Sequence, residues 1–229
     1  VGALLDRKRP DLVMVQGDTT STFAAALAAG LAQVPVIHLE AGLRSGDLAN
    51  PFPEELNRHL VTPLAALHLA ATEANRQALL REGVSDATIE VIGNTVIDAF
   101  EWVRRLDGPW NHPMLSARLP DPAEVGIQPL VLVTAHRRES WGRPIEQVAR
   151  AVRTVASERP WATFVWTLHP NPAIAEMVSP ALAGLGNVLV TPPLGYLDFA
   201  RLLARSRVVL TDSGGVQEEA PAAGVPVLI

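Results

Sequence analysis

Short apolar runs alternate with amphipathic segments along the whole chain, and this alternation restricts the fold more than any other feature. Runs at Leu12–Gln16, Val34–Leu39, Ala66–Ala70, Ile89–Ile92, Leu130–Thr134, Thr163–Leu168, Val188–Val190, Val208–Thr211 and Val225–Ile229 read as strands. Helical patterns at Thr20–Ala32, Glu54–Leu64, Glu73–Glu82, Arg143–Ser157 and Leu197–Arg205 lie between them. Several strands are β-branched and apolar on both faces, so their sheets need helices on both sides. The expected class is α/β, with doubly wound parallel sheets. Ligands of such sheets bind beyond the carboxyl ends of the strands, and the strand-to-helix loops are where chemistry belongs.

The rhythm breaks at 107–128, where Pro109, Pro113, Pro120 and Pro122 interrupt a stretch with few apolar repeats. It reads as a linker or an exposed excursion. With Thr95–Leu106 taken as a connecting helix, the chain divides into an N-terminal domain over 1–106 and a C-terminal domain over 107–229. A length of 229 residues is enough for two such cores.

Composition excludes several function classes. A formal charge of −5 without basic runs argues against nucleic acid or an anionic membrane as partner. The absence of cysteine removes disulfides, thiolate metal sites and a cysteine nucleophile. No spacing of histidines and acids dictates a metal site. No apolar run reaches the roughly 20 residues of a membrane helix, and no signal layout opens the chain, so a cytoplasmic protein is expected. The chain opens without Met and stops in a strand-like run, which reads as a piece of a longer protein, inactive by itself.

Four loops hold candidate groups. After the first strand, Gln16-Gly17-Asp18-Thr19-Thr20 offers a tight exit and an acid, Asp18, which either caps the next helix or does chemistry. The second strand ends in His38-Leu39-Glu40-Ala41-Gly42-Leu43-Arg44, where Glu40 needs a partner and Arg44 is a candidate. Asn50-Pro51-Phe52-Pro53-Glu54-Glu55 opens a helix with two acids in its first turn, a placement the helix dipole also favours. Asp18, Glu40 and Glu54 therefore stand at the ends of successive α/β loops. In the second half, His136, Arg137 and Arg138 follow a strand directly and suit a diphosphate. His169-Pro170-Asn171-Pro172 takes the same position after the next strand. Near the end, Thr211-Asp212-Ser213-Gly214-Gly215 turns from strand to helix, so that Ser213, Gly214 and Gly215 offer N–H groups to an anion and Glu219 can accept from ribose hydroxyls. A plain glycine turn with Ser213 as helix cap is the other reading.

Taken jointly, these segments resemble the non-hydrolysing UDP-N-acetylglucosamine 2-epimerases. Gln16–Thr20, His38–Arg44, Phe52–Arg58, Gly93–Asp98, Thr134–Glu139, His169–Pro172 and Thr211–Pro221 match in the family's order across nearly all of the chain. The resemblance implies a GT-B arrangement of two Rossmann-like domains facing across a cleft. It also implies reversible conversion of UDP-N-acetylglucosamine to UDP-N-acetylmannosamine by anti elimination of UDP and re-addition, with no cofactor and no metal. It further implies Asp18, Glu40 and Glu54 as the acid/base set and His136 at the diphosphate. Ser213, Gly214, Gly215 and Glu219 would then bind UDP, with Leu194 and Phe199 at the uracil. Arg137 and His169 would touch a second, activating UDP-N-acetylglucosamine, and the assembly would be a homodimer. A hydrolysing relative that releases free N-acetylmannosamine and a non-catalytic sugar-nucleotide sensor are the competing readings. Which carboxylate removes a proton and which donates one stays open at this stage.

Overall fold

The structure, a computed structural model, describes residues 1–106, 108–121, 128–135 and 142–229. By packing they form two units, Val1–Asn94 and Thr95–Ile229.

The first unit runs α1 (Gly2–Lys8), β1 (Val13–Gln16), α2 (Thr20–Leu31), β2 (Val36–Ala41), α3 (Glu54–Val61), β3 (Leu67–Ala70), α4 (Glu73–Arg81) and β4 (Ile89–Val91). Its four strands lie in the order β1-β2-β3-β4, and every neighbouring pair is parallel. Val15 and Val36 pack on the small residues Ala26 and Ala29 of α2 and on Val61 of α3. A second cluster joins Ala41 and Ala70 to Leu79 of α4. Helix α4 comes so close to the exit of β2 that a Cβ on Gly42, at φ +84°, would lie 2.4 Å from the carbonyl oxygen of Asn75.

The second unit runs α5 (Thr95–Val103), α6 (Pro113–Arg118), β5 (Leu130–Thr134), α7 (Arg143–Glu158), β6 (Thr163–Thr167), α8 (Pro172–Leu182), β7 (Val188–Thr191), α9 (Tyr196–Arg205), β8 (Val208–Thr211), α10 (Gly214–Ala222) and β9 (Val227–Leu228). The strand order is β7-β6-β5-β8-β9, again parallel throughout. Alternate side chains leave opposite faces of the sheet. Val133 and Trp166 meet α7 and α8, whereas Leu132 and Val209 meet α5, α9 and α10. Helices on both faces explain why these strands read as continuous apolar runs. The chain turns outward from β5 to β6 and β7, then crosses back to β8. That reversal places a switch point at the carboxyl ends of β5 and β8.

Two expectations from the sequence need correction here. Helix α5 is not an appendage of the first unit, because Phe100 and Val103 are buried in the core formed with α9 and α10. Nor is the proline-rich stretch after it a loose linker, as far as its described residues go. Trp110 and Leu115 are buried with Leu130, Val165, Leu189 and Leu202. Trp110 donates its indole N–H to the carbonyl of Pro120 at 2.8 Å. Helix α9 holds the segment from within. Asp198 accepts the backbone N–H groups of Asn111 and His112 at 3.0 and 2.8 Å. Buried Arg201 donates to the carbonyls of Leu106 at 2.6 and 3.1 Å and of Pro109 at 2.9 Å. Among the described residues no helix is long and apolar enough to cross a membrane.

Candidate functional site

In the first unit the candidate acids gather where β1 and β2 end. Gly17, at φ +71°, turns the chain out of β1, and a Cβ there would lie 3.5 Å from Oε2 of Glu40. Strand β2 carries an irregularity in its register between Leu39 and Ala41, and Glu40 at its centre takes φ +63°. That left-handed conformation is uncommon for a residue with a side chain and is found where a site requires it. Regular alternation would send residue 40 to the same side as His38, which is buried with Nε2 2.8 Å from the carbonyl of Gly17. The irregularity instead brings the Glu40 carboxylate over Gly17. Among the described residues its hydrogen-bond partner is neutral: Gln16 donates its amide N–H to Oε1 at 2.6 Å.

Asp18 is held quite differently. The cap of α2 is Thr19, whose hydroxyl accepts the N–H of Thr22 at 3.2 Å, so Asp18 is not needed for capping. Arg58 of α3 donates from Nε and Nη2 to the same oxygen, Asp18 Oδ2, at 2.9 and 2.6 Å. Its third nitrogen donates to Glu55 Oε2 at 2.8 Å. Glu55 is fully buried, and its other oxygen accepts the backbone N–H groups of Ser45 and Gly46 at 2.9 and 3.2 Å. Burial by itself would raise the pKa of Glu55, but the bonds from Arg58, Gly46 and Ser45 outweigh it and hold the carboxyl below its ordinary value. Burial likewise pulls against the charge of Arg58, and its two carboxylate partners keep its pKa above the ordinary value. Asn57 completes the clasp by donating to the backbone carbonyl of Asp18 at 2.8 Å.

The two acids that open α3 therefore differ in kind. Glu55 is an internal anchor. Glu54 is half-buried and stands one turn before Arg58, on the helix face that grips Asp18. Arg44 is not the partner of Glu40: it forms a two-pronged pair with Glu82 at 2.7 and 2.8 Å and donates to the Thr62 hydroxyl at 2.8 Å. The reach of its side chain, down between α3 and α4, is not visible in local spacing. Sequence reasoning passed over Arg58 and Asn57 as site residues. Their signal was present in the run Glu54-Glu55-Leu56-Asn57-Arg58, which puts an amide and a guanidinium one turn behind the acids.

In the second unit a cavity of about 340 Å³ opens at the switch point. It is lined by Leu194, Phe199, Ser213, Gly215 and Glu219, and by His169. The family resemblance implied a second ligand for His169, and in the structure His169 shares a wall with the glycine turn. Nδ1 of His169 accepts the N–H of Asn171 at 3.1 Å, which leaves the proton of the neutral ring on Nε2. Ser213 occupies the cap position of α10 but makes no side-chain cap bond, contrary to the capping alternative. The first N–H groups of α10, which begins at Gly214, have no partner within the helix. Nothing lies within 4 Å of a Cβ placed on Gly215, so the backbone there is open to close approach. Glu219 is buried and accepts the hydroxyl of Tyr196 at 2.8 Å. Burial raises its pKa; the bond from Tyr196 opposes the rise and the charge of Glu218 adds to it. His136 and Arg137 lie outside the described residues.

The sheet end beside this cavity carries a feature no single loop reveals, and two of its residues, Thr134 and Thr167, line the cavity. Strands β5, β6, β7 and β8 each end on a threonine, and these are Thr134, Thr167, Thr191 and Thr211. They stand in one register across the sheet, Thr134 beside Thr211 and Thr167 beside Thr191. Two positions earlier on each strand, Leu132, Val165, Leu189 and Val209 face the α9 side, so the threonines face it too. A recurring threonine at the end of each apolar run was the available signal.

Two doubly wound parallel units, with candidate groups gathered at the carboxyl ends of their strands, define an α/β protein of the GT-B class. The chain belongs to the UDP-N-acetylglucosamine 2-epimerase family, whose model matches residues 1–229. It is 45% identical over 228 residues to the UDP-N-acetylglucosamine 2-epimerase of Yersinia pestis, covering 99% of this chain and 60% of that protein. Against the enzyme of the same name from Escherichia coli K12 the identity is 44% over 235 residues, covering 99% and 60%. The crystal structure of UDP-GlcNAc 2-epimerase from Neisseria meningitidis bound to UDP-GlcNAc superposes with a TM-score of 0.85 at 39% identity, covering all of this chain and 61% of that one. The chain thus spans about three fifths of the length of the relatives it matches.

Proposed function

We propose that the protein containing this chain interconverts UDP-N-acetylglucosamine and UDP-N-acetylmannosamine by eliminating UDP across C1 and C2 and adding it back. The observation that carries the reading is the pair of carboxylates Asp18 and Glu40 flanking Gly17, with Glu54 opening the helix that clasps Asp18. Nucleotide binding alone calls for no such set. Removing the weakly acidic proton on C2 calls for a positioned base, and returning a proton to the opposite face calls for an acid. Family membership and the UDP-GlcNAc-bound relative support the same substrate.

In this reading Gly214 and Gly215 take the diphosphate on N–H groups at the positive end of α10, and Ser213 takes it with its hydroxyl. Glu219 accepts from the ribose, Leu194 and Phe199 flank the uracil, and His136 stabilises the departing diphosphate. His169 joins this cavity through Nε2–H, while Arg137 belongs to a second, regulatory site. The complete protein works as a homodimer.

The test is proton NMR of UDP-N-acetylglucosamine in D2O with the complete protein. Loss of the C2 proton signal, with growth of the manno isomer still joined to UDP, is the expected outcome. Free N-acetylmannosamine accumulating in step with UDP would move the assignment to a hydrolase. Binding without exchange at C2 would overturn the catalytic roles of all three acids.

A further inference from the structure

The two carboxylates at Gly17 are held by groups of opposite character, and the difference divides their labour. Glu40 has a neutral amide as its partner. Asp18 has a guanidinium that delivers two N–H groups to Oδ2. Among the described residues Oδ1 accepts no hydrogen bond. A carboxylate with one oxygen tied in this way has a single oxygen to offer and a single direction in which to offer it.

Arg58 cannot drift from that geometry, because its remaining nitrogen is tied to Glu55. Glu55 is in turn fixed by two backbone N–H groups of the loop after β2. His59 adds a further contact, with Nε2 3.5 Å from Glu55 and Nδ1 3.5 Å from Glu82, and Glu82 is occupied by Arg44. The chain of contacts runs from the α3–α4 packing to the end of β1, with two guanidiniums and His59 set among three carboxylates. A buried ion pair of this kind adds little stability for what its desolvation costs. Its evident product is a fixed orientation at Asp18.

We infer that Arg58, locked by Glu55, is a positioning residue for the epimerisation and assigns Asp18 the role of the carboxylate that takes the C2 proton. This rests on the function proposed above. In the elimination the C2–H bond breaks and its proton passes to Oδ1 of Asp18. The electron pair of that bond forms the C1–C2 double bond, and the pair of the C1–O bond leaves with UDP. Oδ2 keeps its two N–H bonds throughout, so the carboxyl does not rotate as Oδ1 takes up the proton, and the proton returned to the opposite face of C2 comes from another acid.

The experiment compares Arg58→Lys with the double variant Glu55→Gln/Arg58→Met, which removes both charges together and leaves no buried carboxylate unpaired. Both are measured in the complete protein by C2 exchange and by steady-state rates. In the double variant we expect kcat to fall on the order of 100-fold with KM within about threefold, as misplacement of a reacting group produces. Arg58→Lys keeps a cation but not the fork, so it should lower kcat by a smaller factor, again with KM nearly unmoved. A folded double variant whose kcat and C2 exchange rate stay near wild type, or whose loss appears in KM and not in kcat, would reduce Arg58 to a structural residue and overturn the inference. Should the double variant not fold, a kcat for Arg58→Lys equal to wild type would overturn it as well. Failure of the underlying reading is a separate result: the unmodified protein itself would then show no exchange at C2.

Discussion

At the scale of single residues, the threonine row separates hydroxyls that work from one that does not. Thr191 is fully buried and its hydroxyl has no hydrogen-bond partner among the described residues, whereas Thr211 accepts the N–H of Ser213 at 3.0 Å. A buried hydroxyl without a partner loses its bonds to water and gains nothing in return. Thr191→Val should therefore leave stability unchanged or raise it by about 1 kcal/mol. Thr211→Val should lower it by a similar amount and weaken UDP binding, since it strands the N–H that opens the glycine turn. Urea unfolding and calorimetric titration with UDP check both. A loss of stability in Thr191→Val would mean that the row acts as a connected network. Gly42 is the opposite kind of site. Gly42→Ala combines a left-handed φ with a clash against the Asn75 carbonyl, which the backbone of α4 cannot evade, and should cost about 3 kcal/mol. Glu40 shows how far such detail was readable. The residue stood out in the sequence because it ends a strand. Its turn out of the alternation did not, because a bulge is set by pairing with β3 and not by its neighbours in the chain.

At the scale of elements, helix α9 does two jobs. Its start, with Tyr196 and Phe199, faces the cavity. Its buried charges, Asp198 and Arg201, anchor the described part of the excursion that precedes β5. Among the described residues Arg201 donates to carbonyl oxygens rather than to a carboxylate, so its positive charge is met by the end of α5, where the helix dipole is negative. Arg201→Met should lower stability by about 2–4 kcal/mol by leaving those carbonyls unmet. It should also raise hydrogen exchange over 108–121 before exchange rises in β5 or β6, which mass spectrometry can follow. Every described strand was legible from its apolar run, and α2, α3, α4, α7 and α9 from their periodicity, whereas α8 was not among the helices read. The excursion was not legible, because its apolar anchors, Trp110 and Leu115, stand singly among prolines and pack on strands and a helix much further along the chain, at Val165, Leu189 and Leu202. Long-range burial leaves no periodic mark on the segment it fixes.

At the scale of the whole molecule, two buried histidines set how stability follows pH. Burial, with smaller contributions from His38 and Arg44, lowers the pKa of His68 to about 4, and burial also lowers that of His38. Both are neutral in the fold, whereas in the unfolded chain they take protons near the ordinary value of about 6.5. The unfolded state thus binds more protons between about pH 6.5 and 4. Stability is full above that window and falls as the pH drops through it. His68→Leu should flatten this fall in melting temperature measured from pH 7 to 4; an unchanged slope would place the effect elsewhere. The two-unit organisation and the family were readable from the order of the loops. The place of division was not, since an amphipathic helix between two sheets does not declare which one it covers. That choice has a practical heritage for anyone who would separate the halves of the gene. A second half begun at residue 107 would lack Phe100 and Val103, opening a void under α9 and α10, and would strip Arg201 of the Leu106 carbonyl. Begun at Thr95, it carries its own keystone, and we expect only that version to melt cooperatively.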